Sequence, residues 1–211
     1  MKESALREQI CGIALSIFER GLTHGSTGNI SARCEDGWLL TPTGSSLGQL
    51  DPARLSKLDW SGRHLSGDAP SRENFLHLAM YQERDRSQAV IHLHSTHAVA
   101  VSVLEGIDPQ DVLPPITAYY VMRIGRLPLV PYYMPGDPAL AQAVRGFAGK
   151  HHALLLANHG PVVAGSSLAA ASDAVEELEA TAKLYLLLQG RPIRTLTPEQ
   201  CAELRAQYPA G

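Results

Sequence analysis

Nine histidines fall within this 211-residue chain, and two of them, His92 and His94, are separated by a single leucine. On a β-strand residues two apart share a face, so both imidazoles would project together while Leu93 turns into the core. Two imidazoles can grip one metal ion, but they do not by themselves make a site. His159 stands at the end of a second apolar run, just before Gly160, where a side chain is presented at a sheet edge in the same way. Three neutral imidazoles with an open fourth position describe a catalytic zinc centre, whereas a structural one would be closed and usually richer in cysteine. Cys11, Cys34 and Cys201 are far apart, odd in number and form no C-x-x-C pair, which argues against both a thiolate site and a disulfide framework.

Glu73 is expected in the first turn of a helix that opens after Pro70. Taken alone it reads as a carboxylate favoured there by the helix dipole. Brought to the metal by the tertiary fold, it would be an acid/base group at the open position. His77, four residues on, shares its helix face and is expected to pack or to support the site from behind. The loops Ser26-Thr27-Gly28-Asn29 and Thr43-Gly44-Ser45-Ser46, with Ser71 at a helix start, offer backbone N–H groups and hydroxyls suited to a phosphate, though neither is a Walker or dinucleotide motif. Tyr119 and Tyr120 could donate a proton through a phenol, or pack with the hydroxyl at the surface. His24, His64, His97, His151 and His152 read as structural or solvated, with His97 a reserve ligand. Glu176, Glu177 and Glu179 read as the solvated face of a long helix.

These residues need a scaffold, and its parts are marked by periodicity and punctuation. Residues 4–20 carry apolar side chains at helical spacing and stop at Gly21. Residues 30–33 and 38–41 read as strands joined by the Glu35-Asp36-Gly37 turn, which brings the two small-residue loops near each other. Asp51 caps a turn led by Pro52, residues 55–60 read as a strand, and a helix runs from Pro70-Ser71 to about Arg84. Residues 89–94 form a buried-type strand with the histidine pair at its C-terminal end, and Ser95 or Thr96 can cap a helix over 98–104. Then come a strand over 124–130, a helix from Asp137-Pro138 to Phe147, and strands over 153–157 and 161–164 broken by Asn158-His159-Gly160. A long helix over 168–188 and a short one opened by Thr197-Pro198 complete the chain. The sum is an α/β fold, a single domain over 1–211 with a mixed sheet covered by helices.

Hydrophobic residues make up 45% of the chain and charged ones 18%, with a net charge of −3, which places it among compact globular proteins and makes nucleic acid an unsuitable partner. The N-terminus scatters charges through an amphipathic segment, and no stretch reaches membrane-spanning length, so the expected location is the cytoplasm, with no membrane partner.

Five segments, T-G-N-I-S at 27–31, L-T-P-T-G at 40–44, P-S-R-E at 70–73, V-I-H-L-H at 90–94 and A-N-H-G at 157–160, resemble in order and spacing the class II aldolase/adducin head superfamily, over nearly the whole chain. Within it, segments such as G-S-S-L-G-Q-L-D-P-A-R-L-S, H-L-H-S-T-H and R-P-I-R are most similar to the 3-oxo-tetronate 4-phosphate decarboxylases of four-carbon sugar-acid catabolism. The resemblance implies a three-layer fold with helices on both sheet faces, and zinc, with manganese or cobalt left open, on His92, His94 and His159. It implies an acid/base at Glu73, and phosphate contacts from Thr27, Gly28, Asn29, Thr43, Gly44 and Ser71. The substrate would be a small phosphorylated sugar acid, decarboxylated through an enediolate that zinc stabilises, in a homotetramer with active sites between subunits. An aldolase or epimerase on a sugar phosphate is the first rival, with Tyr119 or Tyr120 handling the hydroxyl proton, and a non-catalytic adducin-like module the second. Where aldolases of the superfamily tend to read P-S-S-E, this chain has Arg72, whose guanidinium suits a carboxylate or a phosphate.

Overall fold

The computed structural model describes residues 2–134 and 136–208. Its centre is one eight-stranded sheet in the order β4-β3-β2-β1-β5-β8-β7-β6. The strands are β1 (Asn29–Cys34), β2 (Gly37–Leu40), β3 (Ser56–Leu58), β4 (His64–Ser66), β5 (Ala89–His92), β6 (Leu129–Val130), β7 (Ala153–Leu156) and β8 (Gly160–Gly165). All neighbours run antiparallel except β6 and β7.

The central strands are apolar on both faces, and successive residues feed different cores. Leu39, Ile91, Leu155 and Val163 face one core, and Leu40, Val90, Leu154 and Val162 the other. The first core is covered by α1 (Glu3–Glu19), α3 (Thr96–Ser102), α4 (Ala118–Arg123), α6 (Leu168–Leu187) and α7 (Pro198–Gln207). The second is covered by α2 (Asn74–Glu83) and α5 (Pro138–Ala148). The mixed α/β fold with helices on both sheet faces is therefore as the sequence and the resemblance led us to expect.

Five local features differ from expectation. Helix α2 starts at Asn74, because a turn from the Ser71 carbonyl to the Asn74 N–H precedes it, and Glu73 is its N-cap residue and not part of the first turn. The expected strand over 124–130 shrinks to β6, since Ile124 and Gly125 both close turns onto the Tyr120 carbonyl at the end of α4. Strand β4 was not anticipated; its three residues are all exposed, so it has no apolar alternation to read.

At the start of α3, neither Ser95 nor Thr96 caps the helix through its side chain. The carboxylate of Glu179 receives the backbone N–H groups of His97 and Ala98 instead. Glu179 is 7% exposed, so it is not on a solvated face.

Candidate metal centre

Strand β5 ends at His92, whose Cα partners are Asn29 on β1 and Val162 on β8. The chain leaves the sheet there, Leu93 stays buried, and His94 follows just before α3. His159 lies in the turn between β7 and β8. That turn packs so closely that a Cβ on Gly160 would sit 2.2 Å from the Leu93 carbonyl oxygen, in a backbone conformation of φ +151°. Asn158 takes a left-handed φ of 57°, which asparagine tolerates better than most residues. The tight turn sets His159 against the end of β5.

The three Nε2 atoms form a near-equilateral triangle. His92 to His94 is 3.1 Å, His94 to His159 3.1 Å and His92 to His159 3.3 Å. Glu73 Oε1 completes a fourth vertex, 2.9 Å from His159 Nε2 and 3.5 Å from His92 Nε2. Ligands about 2.0–2.1 Å from a tetrahedral zinc ion stand about 3.3–3.4 Å apart, so these four atoms fit one ion. His92 Nδ1 donates to the Pro161 carbonyl at 2.8 Å, so in the neutral ring it is Nε2 that is bare and pointed at its partners. Three nitrogens converging on one point have no mutual hydrogen-bonding scheme that satisfies them all; a cation does satisfy them.

The electrostatics of His92 and His94 differ. Burial, reinforced by His92 and His159, pushes the His94 imidazole down to about 4, so it is neutral at pH 7. Burial would also depress His92, but the Glu73 carboxylate outweighs it and holds that ring above its ordinary value. Burial alone would raise Glu73; the charges and hydrogen bonds of His92 and His159 overcome it and keep the carboxylate far below the usual range. An ionised carboxylate beside three imidazoles is what a divalent cation requires.

The cluster opens into a cleft of about 520 Å³, whose further walls are His24, Thr96, Val99, Tyr132, Tyr133 and Asn158. That volume suits a small metabolite. The three small-residue segments meet one another next to Glu73, and Thr43 and Gly44 line a separate hollow of about 290 Å³. An isolated bridge pairs Pro42 with Pro70, Thr43 N–H bonds the Ala69 carbonyl, and Asn29 Nδ2 reaches Ser71 Oγ at 3.2 Å.

The family described as Class II Aldolase and Adducin N-terminal domain matches residues 8–186. The chain belongs to that family. A 3-oxo-tetronate 4-phosphate decarboxylase of Escherichia coli O6:H1 is 55% identical over 205 residues, covering 97% of this chain and 97% of its own. An L-fuculose phosphate aldolase from the same organism is 33% identical over 214 residues, covering 99% and 96%. A crystal structure described as YgbL, a putative aldolase/epimerase/decarboxylase from Escherichia coli, superposes with a TM-score of 0.95 at 52% identity, covering 97% of this chain and all of that one.

Glu73, His92, His94 and His159 are brought together. Ser71 Oγ accepts from Asn29 Nδ2 and from the Glu73 N–H, which leaves its own proton to donate. The Thr27 hydroxyl donates to the His24 carbonyl, so its oxygen can only accept, and a phosphate there would depend on other donors. Gly44, at φ +69°, lies exposed beside Thr43 at the loop tip. Asn29 does something unanticipated: its amide also donates to Glu73 Oε2 at 2.7 Å. Arg72 is exposed and forms no ion pair among the described residues. Neither tyrosine reaches this cleft. Tyr120 is sealed in the core, with its hydroxyl directed at Asp111, and burial raises its phenol well above the ordinary value. Tyr119 is 60% exposed and lines a separate cavity of about 710 Å³ with Arg123 and Glu176. The reserve ligand His97 is instead bonded through Nδ1 to Glu179. His24 reads as structural from sequence, and Tyr132, Tyr133 and Asn158 carry no signal there, because three separate loops that border one cleft share no periodicity.

Proposed function

We propose that this class II aldolase family member is a metal-dependent carboxy-lyase that converts a 3-oxo-tetronate 4-phosphate to dihydroxyacetone phosphate and carbon dioxide. The observation that carries it is the Glu73, His92, His94 and His159 cluster on the wall of the cleft, with its ligand atoms all within 4.8 Å of one another. The choice of substrate is supported by the 55% identity to a named decarboxylase against 33% to a named aldolase. The continuous sheet from β4 to β6 supports reading residues 1–211 as one domain.

His92, His94 and His159 would hold the ion, zinc in this reading with manganese or cobalt as substitutes. Once bound, it supplies Lewis acidity for the ketone oxygen and for the charge released as the C1–C2 bond breaks. The chain's own groups do the rest. Ser71 and the loops at Thr27-Gly28 and Thr43-Gly44 bind the C4 phosphate and fix the substrate's register, with the Ser71 proton free to donate. Arg72 adds a cationic hand for carboxylate or phosphate. Carbon dioxide leaves with C1, its electron pair stays on the substrate, and Glu73, ionised at rest, takes up a proton from water in the cleft and passes it to C2. In the homotetramer implied by the family resemblance, Tyr119 would serve a neighbouring subunit's cleft, being exposed and outside its own.

The test is to incubate zinc-loaded protein with 3-oxo-tetronate 4-phosphate, generated in place by a kinase, and to measure both products. Equal release of carbon dioxide and dihydroxyacetone phosphate, abolished by chelator, supports the proposal. No carbon dioxide, with an aldehyde formed from a ketose phosphate instead, replaces it with an aldolase.

A further inference from the structure

A run of hydrogen bonds leads from Glu73 into the core. Asn29 Nδ2 donates to Glu73 Oε2 at 2.7 Å, and Asn29 Oδ1 is bonded by His77 Nε2. His77 Nδ1 lies 2.7 Å from Ser31 Oγ, which lies 2.8 Å from the Tyr81 hydroxyl. Asn29 and Ser31 are two apart on β1, and His77 and Tyr81 four apart on α2, so each pair shares a face of its element. None of the four is more than 4% exposed, so water does not compete for these bonds.

The direction of every bond follows from the carboxylate end. An ionised carboxylate only accepts, so the Asn29 NH₂ must face Glu73 and its carbonyl must face His77. A carbonyl only accepts too, so His77 Nε2 carries the proton. Burial pushes His77 down to about 3, which makes the ring neutral and leaves Nδ1 bare. Nδ1 therefore receives the Ser31 proton, and the Ser31 oxygen receives that of Tyr81. An amide N–H does not release its proton under these conditions, so the run transmits orientation and not charge.

We propose that Ser31, His77 and Tyr81 are positioning residues for Glu73: they fix the His77 tautomer, and through it the Asn29 amide, so that a donor meets Oε2 and Oε1 is left to the ion and the cleft. The proposal rests on the reading of Glu73 as the acid/base. Nothing in the cleft touches Ser31 or Tyr81, so their effect on the reaction can only be indirect.

Two measurements on zinc-loaded, full-length protein test it. Nitrogen-15 NMR of labelled histidine should show His77 with a protonated Nε2 and a bare Nδ1; the opposite tautomer overturns the proposal whatever the substrate. In kinetics, Ser31→Ala removes the proton that holds this tautomer, and kcat should fall roughly ten- to a hundredfold through a misplaced Glu73. Its KM and zinc content should stay within about twofold of the wild type. Tyr81→Phe keeps the ring and should show a smaller fall. His77→Gln, which retains a donor at the reach of Nε2, should recover kcat relative to His77→Leu. Wild-type kcat in both Ser31→Ala and His77→Leu overturns the proposal, as does a fall that merely follows lost zinc. If the wild type releases no carbon dioxide, the function above has failed, and the tautomer with the aldol-cleavage kcat of the same variants decides this one.

Discussion

Glu179 holds His97 twice, accepting its backbone N–H at 2.9 Å and its ring Nδ1–H at 2.7 Å through a single carboxylate oxygen. The second oxygen takes the Ala98 N–H, so a residue midway along α6 caps a helix that begins two positions after His94. Glu179→Ala should cost about 2–4 kcal/mol, from the lost charged hydrogen bonds and the uncapped N–H groups. Urea denaturation measures it. Glu179→Gln, which keeps an acceptor, should lose less.

Metal dependence should be visible in stability as well as in turnover. An ion that binds the folded chain alone stabilises it by about 4 kcal/mol when free metal is a thousandfold above its Kd. Thermal melts with and without chelator should separate accordingly for the wild type and coincide for His94→Ala and His159→Ala. Melts of the wild type that coincide would remove the metal centre.

The pH dependence of folding has a sign fixed by two buried imidazoles away from the ligand set. Burial pushes His77 down to about 3 and His152 to about 4, both from an unfolded value of 6.5. Between pH 6.5 and about 4 the unfolded chain therefore takes up protons that the folded chain refuses. Stability is greatest above 6.5 and falls with decreasing pH, by roughly 1.4 kcal/mol per pH unit for each group. Urea midpoints at pH 7, 6 and 5 should show this slope, and His77→Gln should reduce it.

Gly160→Ala sets a side chain against the Leu93 carbonyl and shifts the turn that carries His159. It should destabilise the fold by about 3 kcal/mol or more, the range of severe backbone clashes and strain. Zinc stoichiometry should fall in whatever protein remains folded.

Arg72→Ser should weaken discrimination between a carboxylated substrate and a neutral sugar phosphate, by about tenfold in the ratio of kcat/KM values, because a charge-assisted contact is lost from one substrate only. An unchanged ratio would leave Arg72 without a role in recognition.

The metal-site candidates were legible because their chemistry is written in residue type: an H-x-H pair at the end of an apolar run, a third histidine before a glycine, and a carboxylate near a helix start. Long apolar segments were legible for the same reason, since 3.6 and 2 are robust periods. The charges of Glu176, Glu177 and Glu179 suggest one solvated face and hide the different position of Glu179. Val175 and Ala182, four before and three after it, are buried and place it on the inner stripe, a signal available from spacing alone. The grip of Asn29 on Glu73 depends on a contact 44 residues away that no local pattern encodes.

Glu73 enters the centre from the start of α2, on one side of the sheet, and His94 from the start of α3, on the other. An ion held by both would join the two helical layers through the end of β5. Its removal by a chelator should then raise hydrogen exchange at the starts of α2 and α3 together, and the pairing of the two layers would depend in part on the cofactor.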